Sequence, residues 1–452
     1  MEKSQPKKLF PYQQEGAEWL ASMARAGLHD EMGVGKTATL IRAANLIKGR
    51  RGLVIGPAML RENFIREWDI FSERDAKLCK GQTINDFVAW QRGDKDILVT
   101  SYEMATKWYR EWENHGEVID FMILDEAHYL KNAFSKRSKA ILGNQANGMR
   151  CWAQWARYSW WSTGTPMPNN PIDIYTFLRF SGAINTNYGN FMTEYFTIYG
   201  FKPVVKRNRV EELRGLIGGV SIRRTKKSVG LQLPPIFLSL TLLEGDAAPV
   251  LHLLREHPGL EGSILEAVEK GGLSFLDAGH VATLRRLIGT AKAVPYAHTL
   301  LEELKSSGDK RIVFGVHTDA LEYVNDFLTK NGVKGYLVNG ATPEKTRVKA
   351  VKDFQEDPEC QFFIGNIKAA GTGLTLTAAA DIDMLESDWT PAGNAQAIMR
   401  AHRIGQKRTV RARFITLADS FDVVVNRIVS EKTASIAEIE GSAMDASPPN
   451  TR

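Results

Sequence analysis

His29-Asp30-Glu31-Met32-Gly33-Val34-Gly35-Lys36-Thr37 is the stretch on which the reading of the fold turns. Its second half has the parts of a phosphate-binding loop running into a helix. Glycines at 33 and 35 let the backbone fold tightly enough for several N–H groups to point at one anion. Lys36 then brings a point charge suited to β- and γ-phosphates, and Thr37 a hydroxyl suited to Mg²⁺. From Ala38 to Lys48 the spacing of Leu40, Ile41, Ala44 and Ile47 predicts a helix closed by Gly49. Such a helix aims its positive end at the phosphates, so Gly33, Val34, Gly35, Lys36, Thr37 and Ala38 are the candidate ATP-binding residues. The general pattern G-x-x-x-x-G-K-S/T starts on a glycine, and this chain has Asp30 there. A glycine turn with a chance lysine looks the same in isolation, and a second phosphate-chemistry motif is needed to decide.

That motif lies downstream. Phe121-Met122-Ile123-Leu124 runs straight into Asp125-Glu126-Ala127-His128. A short unbroken apolar run reads as a parallel strand buried on both faces, and open α/β sheets place ligands at the C-terminal ends of such strands. Asp125 is suited to holding Mg²⁺ through water, and Glu126 to polarising the water that attacks a γ-phosphate. Gly52 to Pro57, Ile97 to Ser101 and Arg157 to Thr163 are further candidate strands, the last followed by Gly164-Thr165-Pro166. A helix is expected over residues 9–20. The alternation makes residues 1–235 an α/β layered domain with a mostly parallel sheet. Trp152, Trp155, Trp160 and Trp161 flank an apolar strand and are read as core, not as base-stacking platforms.

The chain has 452 residues, too many for one ordinary core. Its hydrophobic fraction of 43% and charged fraction of 24% are those of a globular protein in water. No apolar run approaches bilayer-spanning length, and Met1 to Lys8 lacks the apolar segment of a secretory signal. Cys79, Cys151 and Cys360 stand apart, which fits a reducing cytosol and argues against structural zinc. A soluble cytoplasmic protein is the expectation. Leu284, Leu287, Ile288 and Ala291 fall at helical spacing, so residues 236–300 are assigned to a helical connector broken at Gly271-Gly272. Strand–helix alternation resumes at Arg311 to Phe314, Gly335 to Val338, Cys360 to Ile364 and Val410 to Leu417. Residues 301–435 form a second α/β unit without its own phosphate loop, and residues 436–452 read as a disordered tail. The fold class is α/β: two parallel-sheet lobes in tandem with a helical insertion between them.

The net charge of +6 is modest, but its distribution is uneven. Lys202 to Lys227 has a balance of +7, Arg400 to Arg413 of +6 and Leu130 to Lys139 of +4, leaving −11 on the rest of the chain. Three concentrated basic runs in an otherwise acidic chain look like a phosphate-binding track. In the second half, Gln396, Arg400 and Arg403 share one face if the segment is helical. Two converging arginines suit the charge that gathers on a γ-phosphate.

In this order the motifs resemble those of the Swi/Snf-type ATPases of helicase superfamily two, over nearly the whole chain. The matching segments are Leu9 to Leu20 with Tyr12-Gln13, Asp30 to Thr37 (where that family accepts Asp first), Pro57 to Trp68, and Asp125 to His128 with Lys131-Asn132. They continue with Thr163-Gly164-Thr165-Pro166, Arg223-Arg224-Thr225-Lys226 ahead of Leu233-Pro234-Pro235, Gly340 with Arg347 and Phe354, and Gln396 to Gln406. Ala291-Lys292 and Trp389 to Gln406 look most like the HARP-type annealing helicases. Phe64, Ala370 and Thr375 depart from the family pattern, and Asp381 and Asp383 interrupt what should be an apolar strand. No reader module, zinc finger or HARP domain is seen, which suggests a bare motor from a virus or bacterium.

The resemblance implies two RecA-like lobes with ATP and Mg²⁺ in the cleft between them. Gln13 would read adenine and Gly373 would also touch the nucleotide. Lys36 and Thr37 would hold phosphates and metal, Asp125 the metal shell, and Glu126, Arg400 and Arg403 would complete catalysis. His128, Thr163, Gly164, Thr165 and Gln396 would couple hydrolysis to movement. Pro57, Lys131, Arg223, Arg224, Lys226 and Arg347 would contact DNA, duplex or forked and without sequence preference. The implied activity is ATP-dependent DNA translocation by a monomer, with fork remodelling or annealing as finer possibilities and replication or repair proteins as further partners. An ATPase switch on DNA, or a strand-separating helicase acting on DNA or RNA, is the alternative.

Overall fold

The structure is a computed structural model and describes residues 6–115, 117–143, 151–164, 171–199, 202–270, 278–367, 374–439 and 444–446. The chain divides into two units, Met1–Val229 and Gly230–Arg452.

In the first unit, helix α1 (Pro11–Ser22) precedes β1 (Arg25–Leu28), and helix α2 (Lys36–Leu46) follows it. The later strands are β2 (Gly52–Gly56), β3 (Leu78–Gly81), β4 (Ile97–Ser101), β5 (Ile119–Leu124) and β6 (Ala156–Ser162). An antiparallel hairpin, β7 (Phe196–Tyr199) and β8 (Lys202–Val205), stands apart, and β9 (Ser221–Ile222) returns to the sheet. The seven-stranded sheet runs β3-β4-β2-β5-β6-β1-β9, every pair parallel. Side chains alternate between two cores. Val54, Phe121, Ile123 and Trp160 pack with α1 and α2, while Leu53, Ile55, Met122, Leu124 and Trp161 pack on the other face. Burial on both faces is why these strands read as continuous apolar runs. Trp152, Trp160 and Trp161 are fully buried core, as expected.

In this order β6 lies between β1 and β5. The loops leaving these three strands therefore emerge side by side at one edge of the sheet. They carry Asp30 to Thr37, Thr163-Gly164 and Asp125 to His128.

The second unit has β10 (Ile236–Leu243), β11 (Arg311–Gly315), β12 (Lys334–Val338), β13 (Cys360–Asn366), β14 (Asp381–Met384), β15 (Val410–Leu417) and β16 (Met444–Ala446). They form a second parallel sheet in the order β12-β13-β11-β14-β15-β10-β16. This redraws the expected boundaries. Residues 236–243 are not a helical connector but a strand paired along its length with Val410–Leu417. Among the described residues, the helical insertion is Ala248–Glu256, Leu260–Lys270 and Ala278–Ser307, the last crossing Pro295. Part of the expected tail, Met444–Ala446, pairs with β10 as an edge strand. Gly271-Gly272 lies outside the described residues.

Asp381 and Asp383 do not break their strand. The register sets Asp381 opposite Arg411 and Asp383 opposite Arg413. Arg411 Nε lies 2.7 Å from Asp381, and Arg413 Nε 2.7 Å from Asp383. Arg311 and the hydroxyl of Tyr296 complete the shell of the fully buried Asp383. Its carboxyl is held below the usual carboxylate range because these partners outweigh the burial that pushes it up.

Candidate active site

The phosphate loop is shaped by its glycines. Gly33 and Gly35 have φ of 84° and 90°, a region that L side chains avoid, and Lys36 opens α2 directly after the turn. The helix therefore starts two residues before the expected Ala38, which aims the first-turn N–H groups into the loop. Lys36 Nζ donates to the carbonyls of Asp30 (3.0 Å) and Glu31 (3.4 Å), so its ammonium crosses the loop mouth. Thr37 is partly exposed on the first turn of α2, and Val34 and Ala38 are buried. Tyr12 Oη and Gln13 Nε2 both donate to the Val34 carbonyl, at 2.9 and 3.1 Å. Gln13 Oε1 accepts from Phe10 N–H at 3.0 Å. Gln13, expected to read adenine, is thus buried and engaged at both ends, holding the loop to the start of α1.

The acid pair sits at the end of β5. Asp125 Oδ1 accepts from Ser162 Oγ (2.7 Å) and from the Glu126 N–H (3.0 Å). Burial, then the neighbouring Glu126, push the Asp125 pKa up, while Ser162 and Lys36 pull it back only in part. Glu126 has φ of 51°, left-handed for a residue with a side chain. That turn points its carboxylate back across the strand end, where Oε2 lies 3.3 Å from His128 Nδ1. The same nitrogen lies 3.2 Å from Thr163 Oγ1. A Cβ on Gly164 would stand 2.9 Å from Met32 and 3.5 Å from Lys36 Nζ, so the turn after β6 rests on the phosphate loop. The structure therefore brings Lys36, Asp125, Glu126, His128, Thr163 and Gly164 together. Thr165 and Gly373 lie outside the described residues.

A hard dication fits this donor set. Two adjacent half-buried carboxylates, Asp125 and Glu126, and a threonine hydroxyl on the first turn of α2 are oxygen ligands of the kind Mg²⁺ takes alongside its waters.

Sequence reasoning missed Ser162 and Tyr102, whose hydroxyl donates to the Asp125 carbonyl at 2.8 Å. Only the β5–β6 register, Leu124 opposite Trp161, reveals that the next residues face each other. His29 was passed over as well. It is buried with Nε2 accepting from Trp161 Nε1 at 3.0 Å, and burial, then Arg223 and Lys36, lower its pKa to about 3.

Several expected contacts are corrected. The helix carrying Gln396 is Pro391–Ile398, so Arg400 and Arg403 stand in the turn beyond it rather than on a shared helical face. The turn is fixed by Gln406, which donates to the Ala379 carbonyl (2.8 Å) and accepts from the N–H groups of Lys407 and Arg408. Gly405, with φ of 106°, reverses the chain there. Arg403 donates to the Leu374 carbonyl at 3.3 Å. Pro57 is buried after β2. Arg224 and Lys226, expected to contact DNA, are engaged within the first unit: Arg224 is bound to Asp30, and Lys226, 3% exposed, to Glu31. Arg347 donates to the carbonyls of Asn339 and Thr342, bracing a turn. Lys131 keeps partial exposure beside Asp173 (3.6 Å), and Arg223 is exposed.

A phosphate loop, an acid pair and a threonine–glycine turn on adjacent parallel strands, followed by a second parallel sheet, make this a tandem RecA-like chain. Residues 12–246 match the SNF2-related domain and residues 295–405 the helicase conserved C-terminal domain. The chain belongs to the SNF2-related family. It is 26% identical to the human SWI/SNF-related matrix-associated actin-dependent regulator of chromatin subfamily A member 1, covering 96% of this chain and 43% of that protein. It is 27% identical to the Drosophila melanogaster subfamily A-like protein 1 (95% and 56%), and 24% to the human DNA annealing helicase and endonuclease ZRANB3 (97% and 40%). The chain thus spans roughly half or less of the length of these relatives. The Sulfolobus solfataricus SWI2/SNF2 ATPase core in complex with dsDNA matches at 20% identity and a TM-score of 0.46, with 97% of each chain covered.

Proposed function

We propose that this chain is a DNA-stimulated ATPase that moves along duplex DNA. The observation that carries the proposal is the left-handed Glu126, whose carboxylate reaches His128 while the half-buried Asp125 accepts from Ser162 beside it. Residues with side chains held in that region cluster at active sites. In the proposed reaction, the N–H groups of residues 33–38 and the Lys36 ammonium bind the β- and γ-phosphates. Mg²⁺, held by Thr37 and Asp125, would supply charge neutralisation at the phosphates. Glu126 takes the proton of the attacking water. Arg400 and Arg403, from the second unit, are proposed to meet the charge that builds on the transferred phosphoryl group. Arg223, Lys131, Lys136 and Lys227 are proposed contacts to the DNA backbone, which carry no base code and suit movement over any sequence. Branched DNA is the proposed preferred form, supported by relatives named as annealing helicases.

The test is ATP turnover with linear duplex, forked and single-stranded DNA, beside displacement of the third strand of a triplex. The expected result is stimulation by duplex, strongest with forks, and triplex displacement that needs hydrolysis. Glu126→Gln should lower kcat by about 10²–10⁴-fold while ATP still binds, and Lys36→Ala should weaken binding as well. Turnover indifferent to every nucleic acid would overturn the motor. Stimulated turnover without displacement would leave a switch.

A further inference from the structure

Arg224 and Lys226 are tied to the phosphate loop. Asp30, 1% exposed, accepts from the Arg224 N–H (2.9 Å), Nε (3.0 Å) and Nη2 (2.5 Å). Arg224 Nη1 also donates to the Tyr12 carbonyl, and its guanidinium lies 5.3 Å from the centre of the Tyr12 ring. Room for it comes from Gly16, where a Cβ would stand 2.6 Å from Nη2. Lys226 donates from Nζ to Glu31 at 3.0 Å and from its backbone N–H at 2.7 Å. The β1–β9 ladder runs on through this region, with Glu31 N–H donating to the Arg224 carbonyl at 2.9 Å. Asp30 and Glu31 therefore present their side chains to residues 224–226 and their carbonyls to Lys36.

Residues 224–226 are also where the chain leaves the first unit, which ends at Val229. Eight residues beyond Lys226, the Pro234 carbonyl accepts from His402 Nε2 at 2.7 Å, on the turn that carries Arg400 and Arg403. Both ends of the connecting segment are thus tied to a loop assigned to the reaction, and prolines at 234 and 235 stiffen one end.

We propose that residues 224–234 are a transmission strap, with Arg224, Lys226 and His402 as positioning residues. When the Lys36 ammonium leaves the Asp30 and Glu31 carbonyls for bound phosphates, those two residues shift, and the strap carries the shift along the covalent chain to the arginine turn. The strap rests on the ATPase reading, and couples nucleotide occupancy to the second unit without touching nucleotide or DNA.

The experiment inserts Gly-Ser-Gly-Ser-Gly-Ser after Ser228, which leaves every anchor intact and adds slack. It should bind duplex DNA within about twofold of wild type. DNA stimulation of turnover should fall by about tenfold or more, within the span of ordinary coupling factors, and triplex displacement should be lost. A second variant, Glu31→Gln with Lys226→Met, removes one buried pair without leaving a lone charge. It should lose stimulation in the same way, while Lys226→Arg keeps it within about twofold. If the folded insertion variant is stimulated and displaces the third strand like wild type, the strap is wrong. If the Lys226→Met pair binds DNA about tenfold more weakly and excess DNA restores its rate, Lys226 is a DNA contact and the strap is also wrong. Wild-type turnover that ignores DNA would instead sink the functional reading itself, a result distinct from either.

Discussion

At the scale of single residues, His29 shows how a group outside the chemistry sets a limit on the fold. It is buried, accepts from the Trp161 indole and has its pKa lowered to about 3. The folded state refuses a proton that the unfolded chain accepts below its ordinary value of about 6.5. Its contribution is therefore fully present above that pH and is lost as pH falls toward 3, at up to about 1.4 kcal/mol per pH unit. Urea melts between pH 7 and 4 should show this slope, and His29→Gln, which keeps an acceptor for Trp161, should flatten it by about one proton. The phosphate loop itself was legible because each residue type there has one physical job. The roles of Arg224 and Lys226 were not, because a basic run looks the same in sequence whether its partners are phosphates or the carboxylates of Asp30 and Glu31.

At the scale of elements, β14 is the instructive case. Hydropathy patterning treats Asp381 and Asp383 as interruptions, and the strand was legible only from its neighbour, where Arg411 and Arg413 repeat the same two-residue spacing. A charged stripe on one strand met by its opposite on the next is a cross-strand pairing, invisible to any reading of one segment at a time. Removing Asp383 leaves Arg311 and Arg413 with Glu303 as a remaining carboxylate partner. Asp383→Ala should destabilise the second unit by about 3–5 kcal/mol, because Arg311 and Arg413 then lose their shared buried carboxylate, checked by denaturant titration. The short β1 was missed for a related reason: Arg25-Ala26-Gly27-Leu28 has no β-branched residue, and its identity comes from its pairing with β6 and β9. Gln396, Arg400 and Arg403 have helical spacing, but the Gln406 hydrogen bonds and Gly405 decide the local path of the turn.

For the whole molecule, the charge distribution carries the largest revision. About half the cations of the three basic runs are committed internally, among them Arg209, Arg214, Arg224, Lys226, Arg408, Arg411, Arg413 and Arg137. The DNA-binding constant should then fall with salt on a log–log slope no steeper than about −9, where every cation of the runs meeting a phosphate would give roughly −17. Fluorescence anisotropy on a labelled duplex from about 50 to 200 mM salt measures it. The tandem α/β plan is readable from alternating apolar runs, and the first unit, expected to end at 235, ends at Val229; the start of the second sheet at β10 is not readable. Ile236–Leu243 carries partly exposed positions in alternation, and a strand that closes a sheet begun elsewhere in sequence leaves no local mark.

The contacts of His128 reach further than their size suggests. One ring nitrogen faces both the Glu126 carboxylate and the Thr163 hydroxyl, and at any instant it holds either a hydrogen or a lone pair. While Glu126 is ionised it favours the hydrogen on that nitrogen. If Glu126 takes a hydrogen from water as proposed, it becomes a donor toward that nitrogen, and the Thr163 hydroxyl sharing the nitrogen re-orients to suit. In the proposed reaction, a change of charge on the acid at one strand end is thus felt at the next strand end through one shared ring atom.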